Sequence, residues 1–151
     1  MEIKRLGPIG AEIKDLDLTN FNEQESNQIK NSFLEYSVLV FRNQMLNPEQ
    51  LKSISTLWGE PLVHPVFKGI DGHPEIIEIK NFGEKYHTNA HWHSDVTFED
   101  SPPDATLLYS IVVPDEGGDT LFSSQHLAYN DLDSKLKSDL ENKVAVHSNI
   151  G

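Results

Sequence analysis

Cysteine is absent from the 151 residues. That excludes disulfides, thiolate metal ligands and cysteine nucleophiles, and it suits a reducing cytoplasm. Basic residues are scarce: 12 Lys and Arg against 24 Asp and Glu leave a formal net charge of −12. So acidic a chain argues against nucleic acid or an anionic membrane as partner, because either requires phosphates to be neutralised. An anionic small molecule stays open, since a few local cations suffice to build a positive pocket. Long apolar runs are missing too. Met1-Glu2-Ile3-Lys4-Arg5 leads into no signal-peptide core, and no run approaches membrane-spanning length. Internal repeats, low-complexity segments and interdomain linkers are likewise lacking. The expectation is a soluble, cytoplasmic chain, long enough for one domain with a real core.

What is present reads as short strands around well-marked helices. Residues 2–6 and 11–13 are extended pieces punctuated by Gly7-Pro8 and Gly10. Asn22 caps a helix running from Glu23 to about Tyr36, with Glu23 and Glu25 in its first turn and Ile29, Phe33 and Tyr36 as its buried stripe. Val38-Leu39-Val40-Phe41 is wholly apolar, the pattern of a strand buried on both faces. A second helix begins where Asn47 caps, Pro48 takes the first position and Gln50 completes a capping-box-like pair. Leu51, Ile54, Leu57 and Trp58 form its stripe, and Gly59 ends it. Strand composition recurs at 62–67, 75–80, 105–113, 120–124 and 144–147. Residues 125–143 read as helical, broken or capped near Asp133-Ser134, with Leu136 and Leu140 inward. The order predicts an α+β fold with a mainly antiparallel sheet or barrel.

The chemistry concentrates in His91-Trp92-His93-Ser94-Asp95-Val96-Thr97-Phe98. In a strand, residues two apart share a face, roughly 7 Å apart at Cα for a rise of about 3.3 Å per residue. His93 and Asp95 can then converge on one metal ion while Trp92 and Ser94 face away. They supply two-thirds of a 2-His-1-carboxylate facial triad, the Fe(II) site that keeps coordination positions open. Zinc is a second metal reading. His91-x-His93-x-Asp95 begins the H-x-H-x-D-H pattern of metallo-β-lactamase-like hydrolases, in which zinc activates a water. That pattern requires another histidine where this chain has Val96. A non-catalytic, cupin-like binding module is a third reading.

Elsewhere the residue types by themselves are bland. His64, among Val63, Pro65 and Val66, reads as a hydrogen-bonded core histidine. Asn89 reads as a loop residue bonding its own backbone, and Gly117-Gly118-Asp119-Thr120 as a turn. His73, His87, His126 and His147 have no partner at ligand spacing.

Taken together, the blocks resemble the taurine dioxygenase / 2,4-dichlorophenoxyacetate dioxygenase family of Fe(II)- and 2-oxoglutarate-dependent oxygenases. Trp92-His93-Ser94-Asp95-Val96-Thr97-Phe98, continued by Ser101-Pro102-Pro103, is similar to the family's first metal motif. Gly117-Gly118-Asp119-Thr120 with Leu121-Phe122 resembles its second block. Leu6-Gly7-Pro8-Ile9-Gly10-Ala11 and Phe41-Arg42-Asn43-Gln44 resemble its N-terminal part. The resemblance implies a double-stranded β-helix (jelly-roll, cupin-like) core with flanking helices. It implies His93 and Asp95 as Fe(II) ligands and Thr120 as the hydroxyl that helps hold the distal carboxylate of 2-oxoglutarate. His64, Asn89 and Val96 match substrate-contacting positions of the taurine branch. Phe67 stands where that branch has a tyrosine, so one polar substrate contact is missing.

The implied reaction is hydroxylation of a small acidic or sulfonated substrate, taurine-like, using O₂ and coupled to decarboxylation of 2-oxoglutarate to succinate. Family members continue with a second iron histidine and with arginines for the acid groups, positions that residues 1–151 do not contain. The expectation is therefore the N-terminal part of a single dioxygenase domain, incomplete and inactive by itself. No nucleic acid or membrane is expected as partner, and a homo-oligomer stays open.

Overall fold

Ala11 and Ile13 alternate with Glu12 and Lys14, and a strand of that period needs one face covered. The computed structural model, which describes residues 1–80 and 91–148, shows how this is done. The chain divides into two compact units, Met1–Leu46 with Ser110–Val144, and Asn47–Tyr109 with Ala145–Gly151. In the first unit, β1 (Glu2–Arg5), β2 (Ala11–Lys14) and β3 (Leu39–Phe41) form a three-stranded sheet in that order. β1 runs antiparallel to β2, with Ile3 opposite Ile13; β2 and β3 are parallel, with Ala11 opposite Leu39. Parallel neighbours need a crossover, and helix α1 (Glu23–Tyr36) supplies it and packs on β3.

The start of α1 is set locally. Asn22 Oδ1 accepts from Glu25 N–H at 3.0 Å, and Glu25 Oε2 accepts from Asn22 N–H at 2.9 Å. At the other end Ser37 turns left-handed (φ 64°) and donates its N–H to Phe33 O. Gly10 also has positive φ (91°), which glycine accepts without steric cost, and its N–H donates to Tyr36 O at 2.8 Å. Entry to β2 and exit from α1 are thus one joint. Ile29 is fully buried on α1, and Ala11, Ile13, Leu16 and Leu18 are buried in the same unit. Burying an isoleucine is worth about 1.5–3 kcal/mol. Gln44 then ties the sheet's far margin: its Oε1 accepts from Leu18 N–H at 2.9 Å, and its Nε2 donates to Leu16 O and Arg42 O at 3.0 Å each.

Several sequence expectations need correction. The reading of β3 as buried on both faces is corrected: it is half-buried, because among the described residues it pairs with β2 alone and forms the sheet margin. The segments 62–67, 75–80, 105–113, 120–124 and 144–147 form no strand among the described residues. Their side chains suit a pleated surface, yet a strand exists only through a ladder, and among the described residues none is made there; the isolated Ile70–His73 bridge falls between the first two segments. Helix and sheet coexist as expected, but the sheet is mixed, and no double-stranded β-helix closes among the described residues. Residues 125–143 do break where expected, into α3 (Gln125–Asp131) and α4 (Ser134–Leu140), which follow α2 (Pro48–Ser55) in chain order, with Asp133 capping α4. Leu136 and Leu140 on α4 remain 43% and 44% exposed rather than inward. No helix among the described residues is long and apolar enough to cross a membrane.

In the second unit, helix α2 (Pro48–Ser55) begins with the expected reciprocal cap, Asn47 Oδ1 to Gln50 N–H and Gln50 Oε1 to Asn47 N–H. It tightens into a 3-10 turn over Thr56–Trp58 and ends at Gly59 (φ 127°). Its polar face is fastened to a tight turn in which Ile70 N–H donates to Ile76 O at 2.8 Å. Glu75, with only 6% of its side chain exposed, lies 2.9 Å from Lys52 Nζ. His73 sits between two carboxylates, Nε2 3.2 Å from Glu49 Oε1 and Nδ1 3.5 Å from Glu75 Oε1.

The Lys52 ammonium, helped by Glu75's own main chain, holds the Glu75 carboxyl below the ordinary glutamate range. A depressed carboxyl contributes stability that is present above its unfolded pKa and lost as pH falls through the folded one. Glu75→Gln should therefore lower the thermal unfolding midpoint near neutral pH. The gap from the unsubstituted protein should close as pH falls below 4.5, the ordinary glutamate value, and melts across that range measure both effects.

Candidate metal centre

Val96, Thr97 and Phe98 have the composition of a strand, but residues 95–98 form a turn. Glu99 N–H donates to Val96 O at 3.1 Å, and Val96 lies in the left-handed region at φ 54°, which β-branched residues seldom occupy. Two side-chain bonds hold the turn against that preference. Thr106 Oγ1 donates to Asp95 Oδ2 at 2.8 Å, and His147 Nδ1 is hydrogen-bonded to Thr97 Oγ1 at 2.7 Å. The strand expected through 91–98 is thus corrected: local propensity yields to partners far along the chain.

The convergence expected of that strand is reached by another route. His93 Nε2 lies 3.2 Å from Asp95 Oδ1, with each side chain a little under half exposed. The other ring nitrogen is committed, because His93 Nδ1 is 2.7 Å from His91 O and a carbonyl can only accept. Nδ1 therefore carries a proton, and the Nε2 lone pair faces a carboxylate oxygen. Two lone-pair atoms at that separation need a cation against both, a proton or a metal ion. The pair fits a borderline metal that takes imidazole and carboxylate donors, Fe(II) among them.

No third His, Cys, Asp or Glu side chain joins the pair among the described residues. This corrects the zinc reading that used His91, His93 and Asp95 together. His91 serves the site through its main-chain carbonyl.

His64 occupies the same unit. Its Nδ1 accepts from the N–H groups of Val66 and Phe67 at 3.0 Å each, and its ring lies 4.8 Å from the Phe67 ring. With Nδ1 used twice as an acceptor, the proton belongs on Nε2. Val96 is half-buried and Phe67 is 59% exposed. Thr120 belongs to the first unit, exposed, just after Gly117 and Gly118 at φ 77° and 70°. Asn89 and His87 lie outside the described residues. Sequence reasoning missed Thr106 and the Thr97–His147 bond. The available signal for Thr106 was a small hydroxyl set in the otherwise apolar run Ala105-Thr106-Leu107-Leu108.

Residues 2–150 match the family model described as taurine catabolism dioxygenase TauD, TfdA family. The chain is 36% identical over 152 residues to an alkylsulfatase of Acinetobacter baylyi, covering 99% of this chain and 47% of that protein. It is 32% identical over 145 residues to an alpha-ketoglutarate-dependent sulfate ester dioxygenase of Pseudomonas putida, covering 95% of this chain and 48% of the relative. A crystal structure of a taurine dioxygenase from Burkholderia xenovorans superposes with a TM-score of 0.78 at 34% identity, over 93% of this chain and 51% of that one. The chain thus spans about half the length of the relatives it matches.

The two histidines should show opposite tautomers. Long-range ¹H–¹⁵N correlation spectra should find the His64 proton on Nε2. On His93, Nδ1 should stay protonated whether or not metal is added, with only the Nε2 signal moving. A His93 Nδ1 that lost its proton would contradict the bond to His91 O.

Proposed function

The chain belongs to the taurine catabolism dioxygenase TauD, TfdA family, and on that premise we propose that the protein carrying it is an Fe(II)- and 2-oxoglutarate-dependent dioxygenase. Its substrate on this reading is a small acidic or sulfonated molecule, sulfate esters included. The observation that carries the reading is the His93 Nε2–Asp95 Oδ1 pair at 3.2 Å, in which His93 is already oriented through Nδ1. The names of the relatives support the cosubstrate and the sulfur-oxygen head group.

In this reading His93 and Asp95 hold Fe(II), which when bound supplies the redox chemistry coupling decarboxylation of 2-oxoglutarate to hydroxylation of the substrate by O₂. The chain's own groups bind and orient. Thr120 donates its hydroxyl to the distal carboxylate of 2-oxoglutarate. His64 is suited to an anionic head group, because a ring whose Nδ1 is spent on two N–H groups presents Nε2–H as a donor. Asn89 is assigned a substrate contact from the resemblance. Val96 and Phe67 supply apolar surface that keeps water from the reacting carbon, the proposed role of Phe67 in place of a tyrosine being steric. Positioning and water exclusion are the protein's part; the oxidation is the metal's.

The finer fold is also part of the proposal. Ile111, Val144 and Val146 are 80%, 89% and 91% exposed. Apolar side chains held that open, in segments of strand composition, suit the faces of a double-stranded β-helix.

The experiment is oxygen uptake and succinate release by the full-length protein with Fe(II), 2-oxoglutarate and a panel of alkyl sulfates, sulfonates and small carboxylic acids. His93→Ala and Asp95→Ala should each abolish Fe(II) binding and turnover, and near-normal succinate in either would refute the metal assignment. Thr120→Val keeps the shape and deletes a hydrogen bond to a charged group, worth roughly 1.5–3 kcal/mol. It should raise the KM for 2-oxoglutarate at least tenfold while leaving Fe(II) affinity alone; an unchanged KM would remove Thr120 from the site.

A further inference from the structure

Asp95 has two carboxylate oxygens, and the structure gives them different neighbours. Oδ1 lies 3.2 Å from His93 Nε2, and Oδ2 accepts the Thr106 hydroxyl at 2.8 Å. We infer that Thr106 is a positioning residue for the metal: by engaging Oδ2 it leaves Oδ1 as the single oxygen offered to the ion beside His93. The inference rests on the metal reading of His93 and Asp95 and adds to it a residue that the motif at 92–98 does not contain.

Three physical points carry it. A free carboxylate has about four lone-pair directions and can bind a metal through one oxygen or both. Two-oxygen binding would occupy one more coordination position, and a facial site works by keeping positions open for other molecules. A hydroxyl committed to Oδ2 biases the group to one-oxygen binding and fixes the rotation of the carboxylate plane. Threonine suits this task because its β-branch restricts χ1, so the hydroxyl direction is set in advance. The donor is also neutral. A lysine or arginine at the same place would drain charge from the carboxylate, whereas a hydroxyl orients the ligand and leaves its negative charge for the cation.

The contact is also non-local, between residues 11 apart in sequence, with Pro102-Pro103 in the intervening chain. Proline fixes φ and offers no N–H, which stiffens the path that brings Thr106 back to the turn. Outer groups that orient a metal ligand typically change metal affinity by about 10–100-fold when removed.

The test uses the full-length protein, unsubstituted and as Thr106→Val, Thr106→Ser and His93→Ala, titrated with Mn(II) in the absence of substrate. Free Mn(II) is read by electron paramagnetic resonance, and water bound to the metal by proton relaxation. Thr106→Val should bind Mn(II) about tenfold more weakly and should carry less metal-bound water, because the released Oδ2 takes a coordination position. Thr106→Ser keeps the hydroxyl and should restore both readings. Equal affinity and relaxation in Thr106→Val would overturn the inference and leave the metal reading standing. Failure of serine to restore them would reduce Thr106 to a packing role and overturn it as well. If the unsubstituted protein binds no Mn(II), or His93→Ala binds it equally well, the metal reading falls and the inference falls with it.

Discussion

The parallel pairing of β2 with β3 is the constraint from which the first unit follows. Parallel neighbours cannot be joined by a hairpin, so the chain must leave the sheet and return, and α1 is the path it takes. That path fixes which face of the helix turns inward, and Ile29 is fully buried as a result. The joint at Gly10, whose N–H bonds Tyr36 O, sets where the returning strand begins. Gln44 finishes the arrangement by bonding both the residue that follows β3 and the loop after β2, through Arg42 O, Leu16 O and Leu18 N–H. Each of these bonds lies in one unit.

In the second unit two histidines are held by main-chain atoms. His93 is oriented by the carbonyl of His91, and His64 by two amides of its own turn. Backbone groups are a reliable way to choose a tautomer, because a carbonyl can only accept and an amide can only donate. The consequence is opposite tautomers on histidines of identical chemistry. His93 has Nδ1 committed to a carbonyl, and His64 has Nδ1 committed to two amides. The α2 capping box and the Lys52–Glu75 pair, with one partner nearly buried, give this unit fixed points of its own.

Family membership and geometry bear on different questions. The matched relatives fix the family over residues 2–150, and they name sulfate esters, sulfonates and related acids as the substrates of other proteins. The geometry says which atoms of this chain are available: Nε2 of His93, Oδ1 of Asp95, Nε2–H of His64. The exposed Phe67 ring lies 4.8 Å from the His64 ring and has no hydroxyl to offer.

Much of what depends on neighbours within four residues was legible in the sequence, the turn at 95–98 excepted. The caps at Asn22 and Asn47, the first-position Pro48, the break before Ser134 and the turn glycines all stand where residue type placed them. Such features are legible because the donor and the acceptor are a few bonds apart, and the residue type alone closes the ring. The proximity of His93 and Asp95 was legible too, although the strand inferred to produce it is a turn. Tertiary structure alone decided the rest. Whether 105–113 or 144–147 is a strand depends on a ladder partner, which composition cannot supply. The hydrogen bond from Thr106 to Asp95 spans 11 residues, and that between His147 and Thr97 spans 50. Contacts at those separations exist only once the intervening chain has folded, and they, not the β-branched run at 96–98, set the conformation of the turn that carries Asp95.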